Sequence, residues 1–356
     1  MSSGHGGDLA EAEQRYGRPR HAFIDFSANL NGYALPIEPK AWLSWLGDVH
    51  HYPSGIEDLT TRLAECYQVS PQHLIPCAGA IEGLWLAARI FKGGTARIPH
   101  PTFGGYEPAA RAADMHIERL IVPPGSHRLQ ALETSVQPGD TVFYCNPNNP
   151  GADWTQTDEL LSAIRAHPQV QWVVDEAFVE FVPAANGGML TTADLPENLI
   201  VVRSLTKSWC IPGLRLGFAV TTNPEWQAAL RAQQHPWSIN AVLFSWARQT
   251  LTPDNYRRIQ ESLQHLPDLR RGFVHELAAV PGCEPLPGDA NYVLLRLGEP
   301  MPAAGELCEC MGRMGFLIRN ADNFIGLEEG GYVRLAVRAP EENRKLVEAL
   351  RALVEQ

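Results

Sequence analysis

Cysteine is sparse and poorly spaced for chemistry. The chain has seven, an odd number at scattered positions. Cys308 and Cys310 are separated by one residue, which is not the usual zinc or redox spacing. The pattern argues against a disulfide framework and a cysteine metal site, and reduced thiols in a cytoplasmic protein are expected. Long hydrophobic runs are missing: no uninterrupted one reaches the roughly 18 residues of a membrane-spanning helix. The opening Met1-Ser2-Ser3-Gly4-His5-Gly6-Gly7-Asp8 has no basic stretch followed by an apolar core. Neither a secretory signal nor a membrane anchor is expected there. Positive charge is also scarce. Against 40 acidic residues stand 29 Lys and Arg, a formal net charge of −11. With no basic run, nucleic acid and anionic membranes are poor partners. An anionic small molecule stays open as substrate, because a local arginine cluster can set the field in a cleft. There is no internal repeat and no low-complexity segment.

What is present is ordinary globular composition. The 356 residues are 45% hydrophobic and 19% charged, enough for one large domain and a smaller one. Residues 1–40, rich in Gly, Pro and Asn, read as an extended arm with part of the small domain. A helix is expected over Leu59 to Tyr67. Apolar runs then alternate with helical patterns. The strands expected are Ala96 to Pro99, Ile117 to Val122, Thr141 to Cys145, Val170 to Val174, Leu199 to Arg203 and Leu216 to Val220. The helices are Glu82 to Phe91, Tyr106 to Ala113, Gln156 to Ala166 and Glu225 to Gln233. This alternation predicts an α/β fold with a mainly parallel sheet covered on both faces, over residues 41–255. Residues 256–356 read as a smaller α+β domain. It has a helical stretch from Asn255 to Val280 that Pro267 bends or breaks, strands Tyr292 to Leu297 and Tyr332 to Val337, and helices Ala304 to Met314 and Glu341 to Val354.

Three residues at successive strand ends stand out: Asp175 after Trp172-Val173-Val174, Lys207 after Leu199 to Arg203, and Arg215 shortly beyond. Alone each has a bland reading: a cap, a solvated amine, an ion-pair arginine. Together they suit pyridoxal phosphate (PLP). The lysine holds the aldehyde, the carboxylate faces the ring nitrogen, and a cation with Ser204 takes the phosphate. The run Cys77-Ala78-Gly79-Ala80-Ile81-Glu82-Gly83 follows a short strand and opens a helix, where free N–H groups favour an anion. It is a weak signal alone and does not match a nucleotide-binding glycine motif. Asn149-Pro150 reads first as a turn, though its amide can also donate to the cofactor's phenolic oxygen. Phe103 and Tyr106 are either core or a face for the cofactor ring.

The ensemble resembles a fold-type-I PLP-dependent enzyme of the aspartate aminotransferase superfamily. Within it, the chain is most similar to the threonine-phosphate decarboxylase group of cobalamin synthesis. The likeness runs through His5-Gly6-Gly7-Asp8, Asp25-Phe26-Ser27-Ala28-Asn29-Leu30-Asn31, His51-Tyr52-Pro53, Asp175-Glu176-Ala177-Phe178 and Arg203-Ser204-Leu205-Thr206-Lys207. It continues through Pro236-Trp237-Ser238-Ile239-Asn240, Ala290-Asn291-Tyr292 and Arg334-Leu335-Ala336-Val337-Arg338.

The resemblance implies a cytoplasmic homodimer with PLP, Lys207 as the Schiff-base lysine and Asp175 as partner of the ring nitrogen. It implies Asn149 for the ring oxygen, Phe103 stacked on the ring, and Ser204, Arg215, Gly79 and Ala80 around the phosphate. Tyr52 would reach that phosphate from the other subunit. Arg334 would hold the substrate carboxylate; Arg319, with His5 and Asn31, would hold the substrate phosphate. The activity implied is decarboxylation of L-threonine O-3-phosphate to (R)-1-amino-2-propanol O-2-phosphate. Alternatives are a histidinol-phosphate-type aminotransferase, a decarboxylase of L-serine O-phosphate, and a non-catalytic binding protein. Two departures from the superfamily pattern are Gly151-Ala152, where Thr-Gly is usual, and Ile81, where a polar residue is more usual. Phe178, where many aminotransferases have tyrosine, favours the decarboxylase group.

Overall fold

Buried apolar runs, Val142-Phe143-Tyr144, Trp172-Val173-Val174 and Leu199-Ile200-Val201-Val202, stack side by side at the centre of the molecule. The computed structural model describes residues 6–35, 39–192 and 194–355. A two-residue strand, β1 (Ile24–Asp25), precedes the main sheet. That sheet is built from β2 (Leu74–Cys77), β3 (Thr95–His100), β4 (His116–Ile121), β5 (Asp140–Cys145), β6 (Gln171–Asp175), β7 (Leu199–Ser204) and β8 (Gly217–Val220). Its order is β2-β8-β7-β6-β5-β3-β4. Only β8 runs against its neighbours; the β7-β6-β5-β3-β4 pairings are parallel. The mainly parallel sheet expected from the alternation is therefore present.

Both faces are covered, as continuous apolar strands require. Phe143, Val173, Ile200 and Val202 pack with Leu84 of helix Ala80–Ile90 on one face. Val142, Trp172, Val174 and Val201 pack with Leu160 and Ile164 of helix Thr157–Ala166 on the other. Beyond lie β9 (Cys283–Pro285), β10 (Tyr292–Leu297), β11 (Phe316–Leu317), β12 (Arg319–Asn320) and β13 (Tyr332–Ala336). Four of these form an antiparallel sheet of order β12-β13-β10-β9, and β11 pairs with β1 in parallel. That last pairing ties the N-terminal segment to the C-terminal hundred residues.

The N-terminal arm is not wholly extended. Leu9–Tyr16 is a helix, capped by Asp8, whose Oδ1 accepts from Glu11 N at 2.9 Å, and stopped by Gly17 in the left-handed region. The surrounding glycines and prolines hid a short amphipathic run with its own caps. Helix Ala241–Thr250 was also missed, although Asn240 caps it through Leu243 N at 2.9 Å. The break in the long helical stretch falls at Gln264 and His265. Pro267 sits in the first turn of the next helix, Leu266–Ala278, where a missing N–H costs nothing. Among the described residues no helix is long and apolar enough to cross a membrane.

Candidate active site

The carboxyl ends of β5, β6 and β7 converge, and register does the positioning. Cys145 lies opposite Asp175, and Asp175 opposite Val202. In parallel sheets this edge is where ligands bind. Asp175 is buried; its Oδ1 accepts from Ala177 N at 3.0 Å and its Oδ2 from the Tyr106 hydroxyl at 2.8 Å. Burial pushes its carboxyl pKa up, while those two bonds and the Lys207 charge pull it down.

Lys207 lies in the one-turn helix Leu205–Ser208, directly after β7. Its Nζ stands 5.9 Å from the Phe178 ring centroid. Burial first, then the positive charges of Arg334 and Arg215, lower its pKa from 10.5 to about 8, with Asp175 opposing. A lysine so placed is a nucleophile near neutral pH.

An anion cradle lies beside it. Cys77 of β2 and Ser204 of β7 both register on Gly217 of β8. The chain then turns through Gly79 into helix Ala80–Ile90. Gly79 has φ +76°, and a Cβ there would come within 2.7 Å of Arg215 Nη2, so only glycine lets the guanidinium approach the turn. Ser204 Oγ shares a 2.7 Å hydrogen bond with Thr206 Oγ1. Amides at a helix start, a hydroxyl and a guanidinium are the donor set a phosphate needs. With Ile81 apolar, Glu82 serves the turn instead: its carboxylate accepts from Ala78 N at 2.5 Å. The Phe103 ring lies against Gly105, where a Cβ would meet it at 2.3 Å.

Opposite stand two arginines. Arg334 of β13 is buried, and its Nη2 donates to Ser27 O at 2.9 Å and its Nη1 to Asn149 Oδ1. Because Asn149 accepts with its oxygen, its NH2 is the end able to donate. Burial, and next among the lowering causes the Arg319 charge, bring the Arg334 pKa down to about 10. Arg319 of β12 is the register partner of Arg334 and donates to Asn323 Oδ1 at 2.6 Å. A cavity of about 290 Å³ opens beside Arg319, between helices Leu9–Tyr16 and Ala304–Met314, and Gly6, Gly7 and Ser27 also line it. Lys207 and Asp175 do not line it. Ser27 joins the two regions, because its carbonyl takes the Arg334 bond.

Two of the residues expected at the site stand apart. Tyr52 is 77% exposed and packs on Trp237 at 4.8 Å. Asn31 is buried with its amide engaged: Nδ2 donates to Ser208 O at 2.9 Å and Ser262 Oγ at 3.1 Å, and Oδ1 accepts from Tyr33 N at 2.9 Å. Its own N–H donates to Lys207 O at 3.0 Å. It straps the N-terminal segment to the Lys207 turn. His5 lies outside the described residues.

Several supports were not singled out from sequence. Arg203 and Glu176 form a buried ion pair at 2.8 Å that joins the ends of β6 and β7. Asn148 fixes the turn before Asn149: its Oδ1 accepts from Thr102 Oγ1 at 2.9 Å, its Nδ2 donates to Pro101 O at 3.1 Å, and its carbonyl accepts from Tyr292 OH at 2.7 Å. The Gly151 departure has a local reason, since a Cβ there would meet Asp153 Oδ1 at 2.3 Å. That carboxylate is held by Arg128 and Asn148.

The profile of the family described as aminotransferase class I and II matches residues 38–350. The chain belongs to that family. Its members are PLP-dependent enzymes, and so is this chain. A threonine-phosphate decarboxylase of Salmonella typhimurium is 32% identical, over 99% of this chain and 96% of that protein. The crystal structure of an L-threonine-O-3-phosphate decarboxylase from Porphyromonas gingivalis matches with a TM-score of 0.77 and 26% identity, covering 92% of this chain and 100% of the other. A histidinol-phosphate aminotransferase of Symbiobacterium thermophilum is 28% identical, over 93% of this chain and 91% of that protein. The donor set fits this family's cofactor: a glycine-lined cradle for phosphate, a buried carboxylate and a half-buried lysine within one charge network.

Proposed function

We propose that this chain decarboxylates L-threonine O-3-phosphate to (R)-1-amino-2-propanol O-2-phosphate, as a cytoplasmic step of cobalamin synthesis. The observation that carries the reading is the register of Arg319 on Arg334. Directly opposed residues of antiparallel strands share a face, and like charges there repel. A ligand bearing both a carboxylate and a phosphate turns that repulsion into attraction. The likeness to threonine-phosphate decarboxylases supports the same substrate class.

Lys207 would hold the cofactor covalently, and Asp175 would pair with its ring nitrogen. Asn149 would donate to its ring oxygen, Phe103 would cover one face, and Gly79, Ala80, Ser204 and Arg215 would hold its phosphate. When bound, the cofactor supplies an aldehyde carbon for the substrate amine and an electron-poor ring that takes up the electron pair left by carbon dioxide. The rest belongs to the protein. Arg334 binds the substrate carboxylate and Arg319 the substrate phosphate. Between them they decide whether Cα–H or Cα–COO⁻ is oriented to break. The Lys207 amine, with its pKa near 8, exchanges a proton readily at neutral pH, and it or water would return one to Cα. Phe178, buried against Tyr292 at 5.0 Å, offers no hydroxyl to the ring oxygen, which leaves that task to Asn149.

Incubation with threonine phosphate tests the reading. Carbon dioxide released without a keto acid is the expected result. Transfer of the amino group to 2-oxoglutarate would replace it with the aminotransferase reading. In the same assay Arg319→Ala should lower kcat/KM for the phosphorylated substrate by roughly 10- to 100-fold, the loss of one charged hydrogen-bond pair. Unphosphorylated threonine should lose far less. Equal losses for both would remove Arg319 from the phosphate site.

A further inference from the structure

Tyr106 places a hydroxyl in the middle of an apolar layer. The residue opens helix Tyr106–Ala112 and is 0% exposed. Its ring stacks on Phe143 at 5.7 Å and 26° and meets Phe103 edge-on at 5.5 Å and 82°. Phenylalanine would fill that space without the liability of a buried polar group. The hydroxyl is satisfied by one acceptor, Asp175 Oδ2, at 2.8 Å. The other oxygen of the same carboxylate is held by Ala177 N at 3.0 Å. One donor comes from the turn after β6 and the other from a separate helix, so the plane of the carboxylate is fixed from two sides. Each oxygen keeps a second lone pair for a further donor. Burial pushes the pKa of the phenol well up, so its proton stays in place and the bond has one direction. Burial also favours protonation of Asp175, and the Tyr106 donor opposes it.

We propose that Tyr106 is a positioning residue, whose hydroxyl aims the Asp175 carboxylate and keeps it in the ionised form that the cofactor's ring nitrogen requires, while its ring backs Phe103. The inference rests on the reading that Asp175 pairs with that nitrogen. Only an ionised carboxylate can accept a ring N–H and balance its charge.

The test compares two ligands on cofactor-free protein: PLP, and the carbocyclic analogue in which CH replaces the ring nitrogen. Binding is read by quenching of tryptophan fluorescence, and unfolding midpoints are recorded alongside. Tyr106→Phe should weaken PLP roughly 10- to 100-fold, the loss of a hydrogen bond to a charged group. It should leave the affinity of the analogue unchanged, because nothing on that ring needs the carboxylate. Equal losses for both ligands would make Tyr106 merely structural and overturn the proposal, as would unchanged PLP affinity. Asp175→Asn, tested in parallel, should show the same selective loss. If it binds both ligands as the wild type does, the pairing of Asp175 with the ring nitrogen falls, and the proposal with it. Failure of the wild type to bind PLP at all would instead overturn the functional reading.

Discussion

At the scale of single residues, Lys207 is set apart by its surroundings. The chain has four lysines, Lys40, Lys92, Lys207 and Lys345; the other three are exposed. The Lys207 pKa of about 8 has a defined consequence. Below it the amine is protonated in both folded and unfolded chains. Between about 8 and the ordinary lysine value, the folded protein carries the neutral amine while the unfolded chain still holds the proton. Stability contributed by this group therefore rises with pH across that window. Reactivity shifts the same way: in cofactor-free protein, acylation of Lys207 should be half-maximal near pH 8. Peptide mapping after brief labelling across a pH series checks this. A Lys207 midpoint at the ordinary lysine value of about 10.4 would show that the site does not lower its pKa. Sequence alone marks Lys207 by the apolar run before it. It does not mark the depression, which comes from burial and from the charges of Arg334, far along the chain, and Arg215, which the fold turns back toward it.

At the scale of elements, strand ends were legible and strand pairing was not. An apolar run that stops at an acid or a lysine announces the edge of a buried strand, which is how Asp175 and Lys207 could be singled out. Register is a property of two strands at once, so the Arg319–Arg334 opposition and the Arg203–Glu176 pair had no signature in either run. The latter pair is buried on both sides and fastens the ends of β6 and β7, which carry Asp175 and lead into Lys207. Burial pushes the Glu176 pKa up, and Arg203 and the Met189 amide pull it down. Glu176→Ala should cost about 3–5 kcal/mol, because it strands a desolvated guanidinium. Denaturant unfolding measures that loss. A change below about 1 kcal/mol, the size of a surface pair, would show that the pair does not hold the two strand ends. Helices Leu9–Tyr16 and Ala241–Thr250 escaped for a different reason. Their caps, Asp8 and Asn240, were present, but each run is short and flanked by loop-forming residues.

At the scale of the whole molecule, one surface does not suit a lone chain in water. Trp42, Leu43, Leu46, Val49, Tyr52 and Ile56 are all exposed, and Trp237 packs on Tyr52. Six large apolar side chains within residues 42–56, with Trp237 packed on one of them, mark an interface. We propose that a second copy of the chain covers them, and that Tyr52, unplaced within its own site, completes the cofactor phosphate site of the partner. Leu43 is 72% exposed, so Leu43→Glu removes apolar surface from the interface at almost no cost to the fold of one chain. Combined with Leu46→Glu, it should halve the mass measured by sedimentation equilibrium while leaving the far-ultraviolet circular dichroism unchanged. Because assembly would bring Tyr52 to the phosphate, the dissociated protein should also bind PLP roughly 10-fold more weakly, the loss of one hydrogen bond to a charged group. Tyr52→Phe in the assembled protein should reproduce that weakening with the mass unchanged. A double variant that keeps its mass would show that the apolar surface serves something other than self-association. A dissociated protein with undiminished affinity would show that each site is complete within one chain.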